Sequence, residues 1–332
     1  MPDFLLLGAG FSRNWGGWLA SEAFEHLLGC PEVVSDANLR RLLWRFQHHG
    51  GFEAALAELQ LAFTRDPQSG QHQLLALQSA IVRMFADMNG AFLDMVEWEF
   101  QNKDRERMIG TFLTRFDAIF SLNQDVLLEQ HYTNENIALI GKRKWAGAEL
   151  PGMKRTPPQD AIHSTSWARS SWSPLVEDEF KTDPNFQPIY KLHGSSNWVH
   201  ADGKPMLIMG GAKVREIGQT PILSWYAQVF EERLAEKPSR LMCIGYGFRD
   251  EHINSAIAKA VEGGLELFII APEGADLARR INPTRQAGHI AEPTALEAML
   301  EKSLVGASRR SLREIFGTDT AEHNKVMRFF NS

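Results

Sequence analysis

Phe4-Leu-Leu-Leu-Gly-Ala-Gly-Phe-Ser12 is the stretch on which the fold turns. Its first four residues form a continuous apolar run, as in a strand buried on both faces of a parallel sheet. The run stops at Gly8, and Gly8 with Gly10 permits a tight turn whose backbone can approach a ligand closely. A strand, a glycine turn and a helix start in that order put backbone N–H groups where doubly wound α/β proteins bind a diphosphate. A third glycine at position 13 would complete the G-x-G-x-x-G spacing, but Arg13 stands there and Gly16-Gly17 comes too late. Taken alone, this loop reads equally well as a structural glycine turn.

Further short apolar runs follow at Ala118–Ser121, Pro188–Leu192, Leu241–Ile244 and Leu265–Ile270, with Leu207–Met209 as a weaker one. Helical spacing begins at Val126, runs from Ile222 to Leu234, and returns from Glu251 to Val261. This alternation predicts an α/β fold, a Rossmann-like parallel sheet with helices on both faces. Between Leu19 and Phe116 the pattern is helical throughout, which predicts a large helical insertion after the first strand. Leu74, Leu77, Ile81, Met84, Phe85, Met88, Phe92, Met95 and Val96 fall on one broad face, which we assign to packing and not to a ligand groove. The chain thus divides into 1–18 with 117–305 as the nucleotide-binding unit, 19–116 as the insertion and 306–332 as a C-terminal helical extension.

From Gly141 to Pro188, Pro151, Pro157-Pro158, Pro174, Pro184 and Pro188 preclude long regular elements. The segment reads as a lid or as a structured surface connection, and Trp145, Trp167 and Trp172 call for burial or a partner. Beyond Pro293 two helical stretches are expected, and Phe316, Phe329 and Phe330 in the last either pack on the body or form an oligomer contact.

Composition narrows the function classes. The chain has 332 residues, 44% hydrophobic and 23% charged, as suits a folded globular protein. A net charge of -6 provides no global basic footprint, so direct nucleic-acid binding is not expected. No apolar run approaches the roughly 18 residues that span a bilayer, and no basic leader precedes the first strand, so the expected location is cytoplasmic, away from membranes. Cys30 and Cys243 are the only cysteines, too few for a cysteine-rich zinc module, and no metal is expected.

Three more segments lie at the carboxyl ends of expected strands, where open parallel sheets bind ligands. They are Ser121-Leu-Asn-Gln-Asp125, Lys191-Leu-His-Gly-Ser195 and Gly245-Tyr-Gly-Phe-Arg-Asp250. Read singly, His193 is a core or capping histidine, Asp125 a helix cap, and Asp250 and Asn254 caps or ligand contacts. Trp198 and Phe248 read as packing residues or as the border of a pocket.

Taken together, GAGFS, LNQD, KLHGSSNW and GYGFRDEHIN resemble the sirtuin-like superfamily, and within it the bacterial NAD-consuming branch that acts in anti-phage defence. The resemblance runs to about Ile270. It implies NAD as substrate, with Gly8, Ala9, Gly10, Phe11 and Ser12 at the diphosphate, Asp125 at the ribose and nicotinamide, Gly245 and Asp250 at the distal rim of the cofactor, and Gly194, Ser195 and Tyr246 as further cofactor contacts. It implies Asn123 and His193 for catalysis, with the imidazole as general base. Cleaving the nicotinamide–ribose bond develops oxocarbenium character, which a held ribose and a base that takes a proton both favour.

Protein-deacylating sirtuins carry a four-cysteine zinc module, which this chain cannot build, so NAD+ hydrolysis to nicotinamide and ADP-ribose is preferred over deacylation. A non-catalytic NAD or ADP-ribose sensor remains the alternative. Hydride transfer is disfavoured, because no acidic ribose-reading residue follows a second strand about 20 residues after the glycine loop. The resemblance further implies a homo-oligomer and an activating partner, such as an ATPase or a nucleic-acid-guided protein.

Overall fold

A computed structural model describes residues 1–67, 70–100, 104–133, 145–157, 169–211, 213–278 and 293–331. Its strands are β1 (Asp3–Leu7), β2 (Ala118–Ser121), β3 (Ala148–Glu149), β4 (Met153–Thr156), β5 (Ser171–Pro174), β6 (Gln187–Lys191), β7 (Gly194–Val199), β8 (Pro205–Leu207), β9 (Arg240–Ile244), β10 (Glu266–Ile270) and β11 (Leu304–Ser308). Among the described residues, seven of them form a sheet in the order β11-β10-β9-β1-β2-β6-β3. Every pairing in it is parallel.

Strand β1 lies inside this sheet, with Leu5 opposite Ile119 of β2 and Met242 of β9. Both its faces are covered, since Phe4, Leu5, Leu6 and Leu7 are each at most 1% exposed, which is why the run is continuously apolar. Strand order proceeds from β1 through β2 in one direction and through β9 in the other. The loops leaving β1 and β9 therefore flank the point where an open sheet forms a ligand crevice.

Seven α-helices lie between β1 and β2 in the described residues, namely α1 (Ala9–Ser12), α2 (Ala20–Gly29), α3 (Pro31–Val34), α4 (Ala37–Phe46), α5 (Gly51–Arg65), α6 (Gln71–Leu93) and α7 (Ile109–Leu113). The helical insertion is thus present as expected. Asp36 begins α4 by accepting from the amides of Asn38 and Leu39, leaving those N–H groups satisfied. The stripe on α6 is buried from Leu74 to Phe92. Val96 departs from the expectation, being 96% exposed beyond the end of α6 at Leu93, whereas Met95, also beyond it, is partly buried against the core.

The proline-rich region contributes short strands that periodicity did not disclose. A second sheet runs β4-β5-β7-β8 and seats Trp172 beside Trp198. Strands of three to six residues carry too little pattern to be distinguished from loop. Pro158 and Trp167 lie outside the described residues.

After β2 the helices of the described residues are α8 (Leu127–His131), α9 (Lys213–Gln219), α10 (Pro221–Leu234), α11 (Glu251–Glu262), α12 (Ala295–Ser303), α13 (Leu312–Gly317) and α14 (Thr320–Met327). The tail departs from the two helical stretches expected, because β11 intervenes as the sheet's edge strand. Its aromatic residues pack on the body, with Phe316 at 4.8 Å from Phe112 and Phe330 at 5.1 Å from Phe116 between ring centroids. No helix of the described residues is long and apolar enough to cross a membrane.

Candidate active site at the carboxyl edge of the sheet

The β1 and β9 loops cross backbone on backbone. Gly8 donates to the Ile244 carbonyl and Gly10 to the Gly245 carbonyl, each at 3.0 Å. A β-carbon at Gly8 would lie 2.6 Å from the Gly245 oxygen, and one at Gly10 2.7 Å from the Gly245 Cα. Gly245 has φ +64, and a β-carbon there would fall 2.3 Å from the Gly10 carbonyl carbon. All three glycines are therefore required by the crossing itself. The amides of Gly8 and Gly10 are used in it, and Phe11 donates to the Gly8 carbonyl at 2.8 Å, so these three N–H groups do not face outward as the sequence reading supposed. Ala9, which opens α1, is exposed.

Several expected cofactor contacts turn into the protein instead. The Phe11 ring is 1% exposed and packs 5.1 Å from Trp15. The Tyr246 hydroxyl donates to Asn254 Oδ1 at 2.8 Å, and Asn254 Nδ2 donates to the Phe248 carbonyl at 2.9 Å. That bond braces Phe248, whose φ of 51 is costly for a bulky residue, and so fixes the turn leading to Asp250. Phe248 and Trp198 are core residues, 3% and 0% exposed. Gly194 turns the chain at φ +73, where a β-carbon would lie 2.1 Å from the Met206 oxygen. Ser195 is wholly buried. The side chains of Phe11, Tyr246 and Ser195 are thus packed within the fold.

Ser12 and the LNQD segment meet in one buried network. Asn123 Nδ2 donates to Ser12 Oγ at 3.0 Å, and Ser12 Oγ donates to Asp125 Oδ2 at 2.8 Å. Asp125 Oδ1 accepts from the Leu127 amide at 3.1 Å, so the carboxylate also caps the start of α8. Burial pushes the Asp125 carboxyl above its ordinary value, opposed by Lys191 and by the Ser12 hydrogen bond. Lys191 Nζ donates to the Asp125 carbonyl at 2.6 Å, Glu129 Oε1 at 2.5 Å and Ser195 Oγ at 2.7 Å. A single buried ammonium thus ties β6, α8 and the segments bearing Asp125 and Ser195 together.

Two amides align the His193 loop with the Asn123 loop. Gln124 Nε2 donates to the carbonyls of His193 and Ile208, both at 2.8 Å. From α6 of the insertion, Asn89 donates to Ser196 Oγ at 2.8 Å and accepts from the Val126 amide at 3.1 Å. The insertion therefore takes part in building the site.

His193 is 4% exposed, and its Nε2 lies 3.1 Å from Nε2 of His252 on α11. Burial holds the His193 imidazole neutral by lowering its pKa to about 3, against the pull of Asp250 and with help from Lys213. His252 is lowered too, by burial first, with Asp250 opposing. Burial pushes the Asp250 carboxyl up, but the Lys213 ammonium, which also donates to it, outweighs burial and holds it below its ordinary value. Lys213 Nζ bridges Asp250 Oδ1 at 3.0 Å and Glu53 Oε2 of α5 at 2.7 Å.

His193, Asp250 and His252 each present one ligand atom within 4.8 Å of the others, a group that could hold a cation. The Lys213 ammonium already supplies positive charge to that carboxylate, and Asp250 and His252 stand at the positive end of α11. Both features oppose a metal there.

Asn89, Gln124, Glu129, Lys191, Lys213, Ser196 and His252 were not among the expected site residues. Gln124, Lys191, Ser196 and His252 lie within the quoted motifs and could have been flagged by position. Asn89 and Lys213 carry no signal, because a polar residue on a helix reads as solvated surface.

A search of curated proteins found no match to this chain. A family model described as SIR2-like domain matches residues 117–290, which takes in the LNQD, KLHGSSNW and GYGFRDEHIN segments. That span is more than half of the chain and contains β2, β6 and β9 with the residues at their carboxyl ends, and the chain belongs to the SIR2-like domain family.

Proposed function

We propose that the protein is an NAD+ glycohydrolase that releases nicotinamide and ADP-ribose, serving as the effector of a bacterial anti-phage system that depletes cytoplasmic NAD+. The observation that carries this reading is His193, a buried neutral imidazole at the end of β6, joined through Gln124 to the segment bearing Asn123. A neutral imidazole is a proton acceptor at cytosolic pH, and an amide such as Asn123 holds a ribose hydroxyl or water without adding charge. The diphosphate falls to the exposed start of α1 at Ala9, beside the Gly10–Gly245 crossing. With two cysteines in the chain, a four-cysteine acyl-lysine cleft is not available, so water is the acceptor. Asp250 contributes through Lys213 and the histidines at the distal rim.

The test is nicotinamide release from NAD+ by the purified chain, compared with His193→Ala and Asn123→Ala. Wild-type turnover with a loss of about 10²-fold or more in each variant supports the assignment. Equal turnover in all three proteins overturns it.

The Glu53–Lys213–Asp250 bridge favours a second reading, a sensor in which the insertion transmits nucleotide occupancy. Binding of NAD+ or ADP-ribose without turnover, in the presence of every neighbouring-gene product, selects it. For either reading we infer a homo-oligomer and an activating partner such as an ATPase or nucleic-acid-guided protein. Sedimentation with and without that partner tests the assembly.

A further inference from the structure

His252 has no assigned role, yet its ring is the nearest titratable group to His193. The Nε2–Nε2 separation is 3.1 Å and the ring centroids are 5.2 Å apart. Two imidazole lone pairs cannot face each other at that distance, so one of the two nitrogens carries the proton. Each ring then has its Nε2 engaged and its Nδ1 as the remaining nitrogen. The pair runs outward, from His193 at 4% exposure to half-buried His252. The charged groups facing it are Asp250, with a carboxylate oxygen within 4.8 Å of a ring nitrogen of each histidine, and Lys213 with its second partner Glu53.

We propose that His252 is the proton-accepting and positioning partner of His193, receiving at Nε2 the proton that His193 gives up as its own Nδ1 takes one from the attacking water. The proposal rests on the hydrolase reading above. In the step, the water oxygen bonds to C1′ of the ribose, and the bond from C1′ to the nicotinamide nitrogen breaks with its electron pair going to that nitrogen. One water proton passes to His193 Nδ1, and the His193 Nε2 proton passes to His252 Nε2. The products are neutral nicotinamide, ADP-ribose, neutral His193 and a His252 imidazolium beside the Asp250 carboxylate. The positive charge lost by the pyridinium ring is the charge gained by His252, which returns its proton to solvent.

Physical reasons favour a relay over a lone base. A buried imidazole that is so weak a base is a poor final holder of a proton, since acid–base catalysis is most efficient when the pKa lies near the working pH. Handing the proton to a less buried ring beside a carboxylate removes that penalty without exposing His193. Glu53, on α5, reaches the same carboxylate through Lys213, so the insertion also sets the field at the accepting ring.

The decisive variant is His252→Gln, whose amide preserves a hydrogen bond to His193 but cannot take a proton. The expected result is unchanged ADP-ribose binding, a fall in kcat of about 10²-fold, and partial restoration by added imidazole. A merely structural histidine predicts that Gln restores activity and that imidazole does nothing, and either finding overturns the relay. Nitrogen-15 NMR of His193 provides a readout independent of turnover. The Nε2–H tautomer should dominate in the wild type and be depleted in His252→Ala. A wild-type protein that never releases nicotinamide sinks the hydrolase reading, whereas a Nδ1–H tautomer in the wild type sinks the relay alone.

Discussion

The ammonium of Lys191 lies 2.5 Å from Glu129 Oε1 with the two side chains only 2% and 1% exposed. Burial pushes the Glu129 carboxyl up, and Lys191 opposes it, while Glu129 Oε2 has no hydrogen-bond partner among the described residues. Such a pair is expensive to break from one side, because the remaining charge stays buried and alone. Lys191→Met should cost about 3–5 kcal/mol in urea unfolding. Lys191→Met with Glu129→Gln should recover part of that loss, since no isolated charge remains. Full recovery is not expected, because Lys191 also holds the Asp125 carbonyl and Ser195. A single-variant cost below about 1 kcal/mol would show that the pair is not buried as described.

The Gly10–Gly245 crossing leaves no room for a side chain. Gly245→Ala must accept both a left-handed φ of +64 and a contact of 2.3 Å with backbone that is itself hydrogen-bonded. We expect a stability loss of about 3 kcal/mol or more, together with loss of NAD+ binding by calorimetry. Gly90→Ala is the matched control, since it lies within α6 with open space around its β-carbon position. Relief of helical glycine should stabilise that variant by about 0.5–1 kcal/mol.

Asn89 holds the Val126 amide and Ser196 Oγ from across the insertion. Asn89→Ala should therefore impair turnover more than it impairs folding, costing about 1–2 kcal/mol in stability for the unsatisfied amide. Asn89→Asp retains the acceptor for Val126 but cannot donate to Ser196, so its nicotinamide release should fall between wild type and Ala. An Asn89→Ala protein with wild-type kcat would mean that the insertion does not position the Asn123 and His193 loops for turnover.

How much of this was legible depends on where each residue's partners lie. β1, β2, β9 and β10 announce themselves because burial on both faces demands uninterrupted apolar runs. β11 does not, since Leu304-Val-Gly-Ala-Ser308 is an edge strand with mixed exposure and a glycine at its centre. Asn123 and His193 were visible as polar residues at strand ends. The side chains of Phe11, Ser195 and Tyr246 are buried in the fold, which their motif positions did not disclose, because a motif position does not say whether a side chain faces a ligand or the core. Asn89, Glu53 and Lys213 enter the site from separate helices, and only the folded arrangement brings them together.

His193 also makes the stability of the fold pH-dependent, with a sign that can be stated in advance. Its pKa is about 3 in the folded chain, against about 6.5 for an unperturbed histidine. Above about pH 6.5 both states hold a neutral ring, and this residue's full contribution to stability is present. As the pH falls from there toward 3, the unfolded chain binds a proton that the folded chain refuses, so stability declines. The slope from this one group is at most about 1.4 kcal/mol per pH unit. Between pH 7.5 and pH 5, wild type should lose about 2 kcal/mol more than His193→Asn, which cannot titrate. The difference between the two urea-unfolding curves isolates His193 from Asp250 and His252, which titrate in both proteins. Parallel losses in the two would show that His193 is not held neutral in the folded chain.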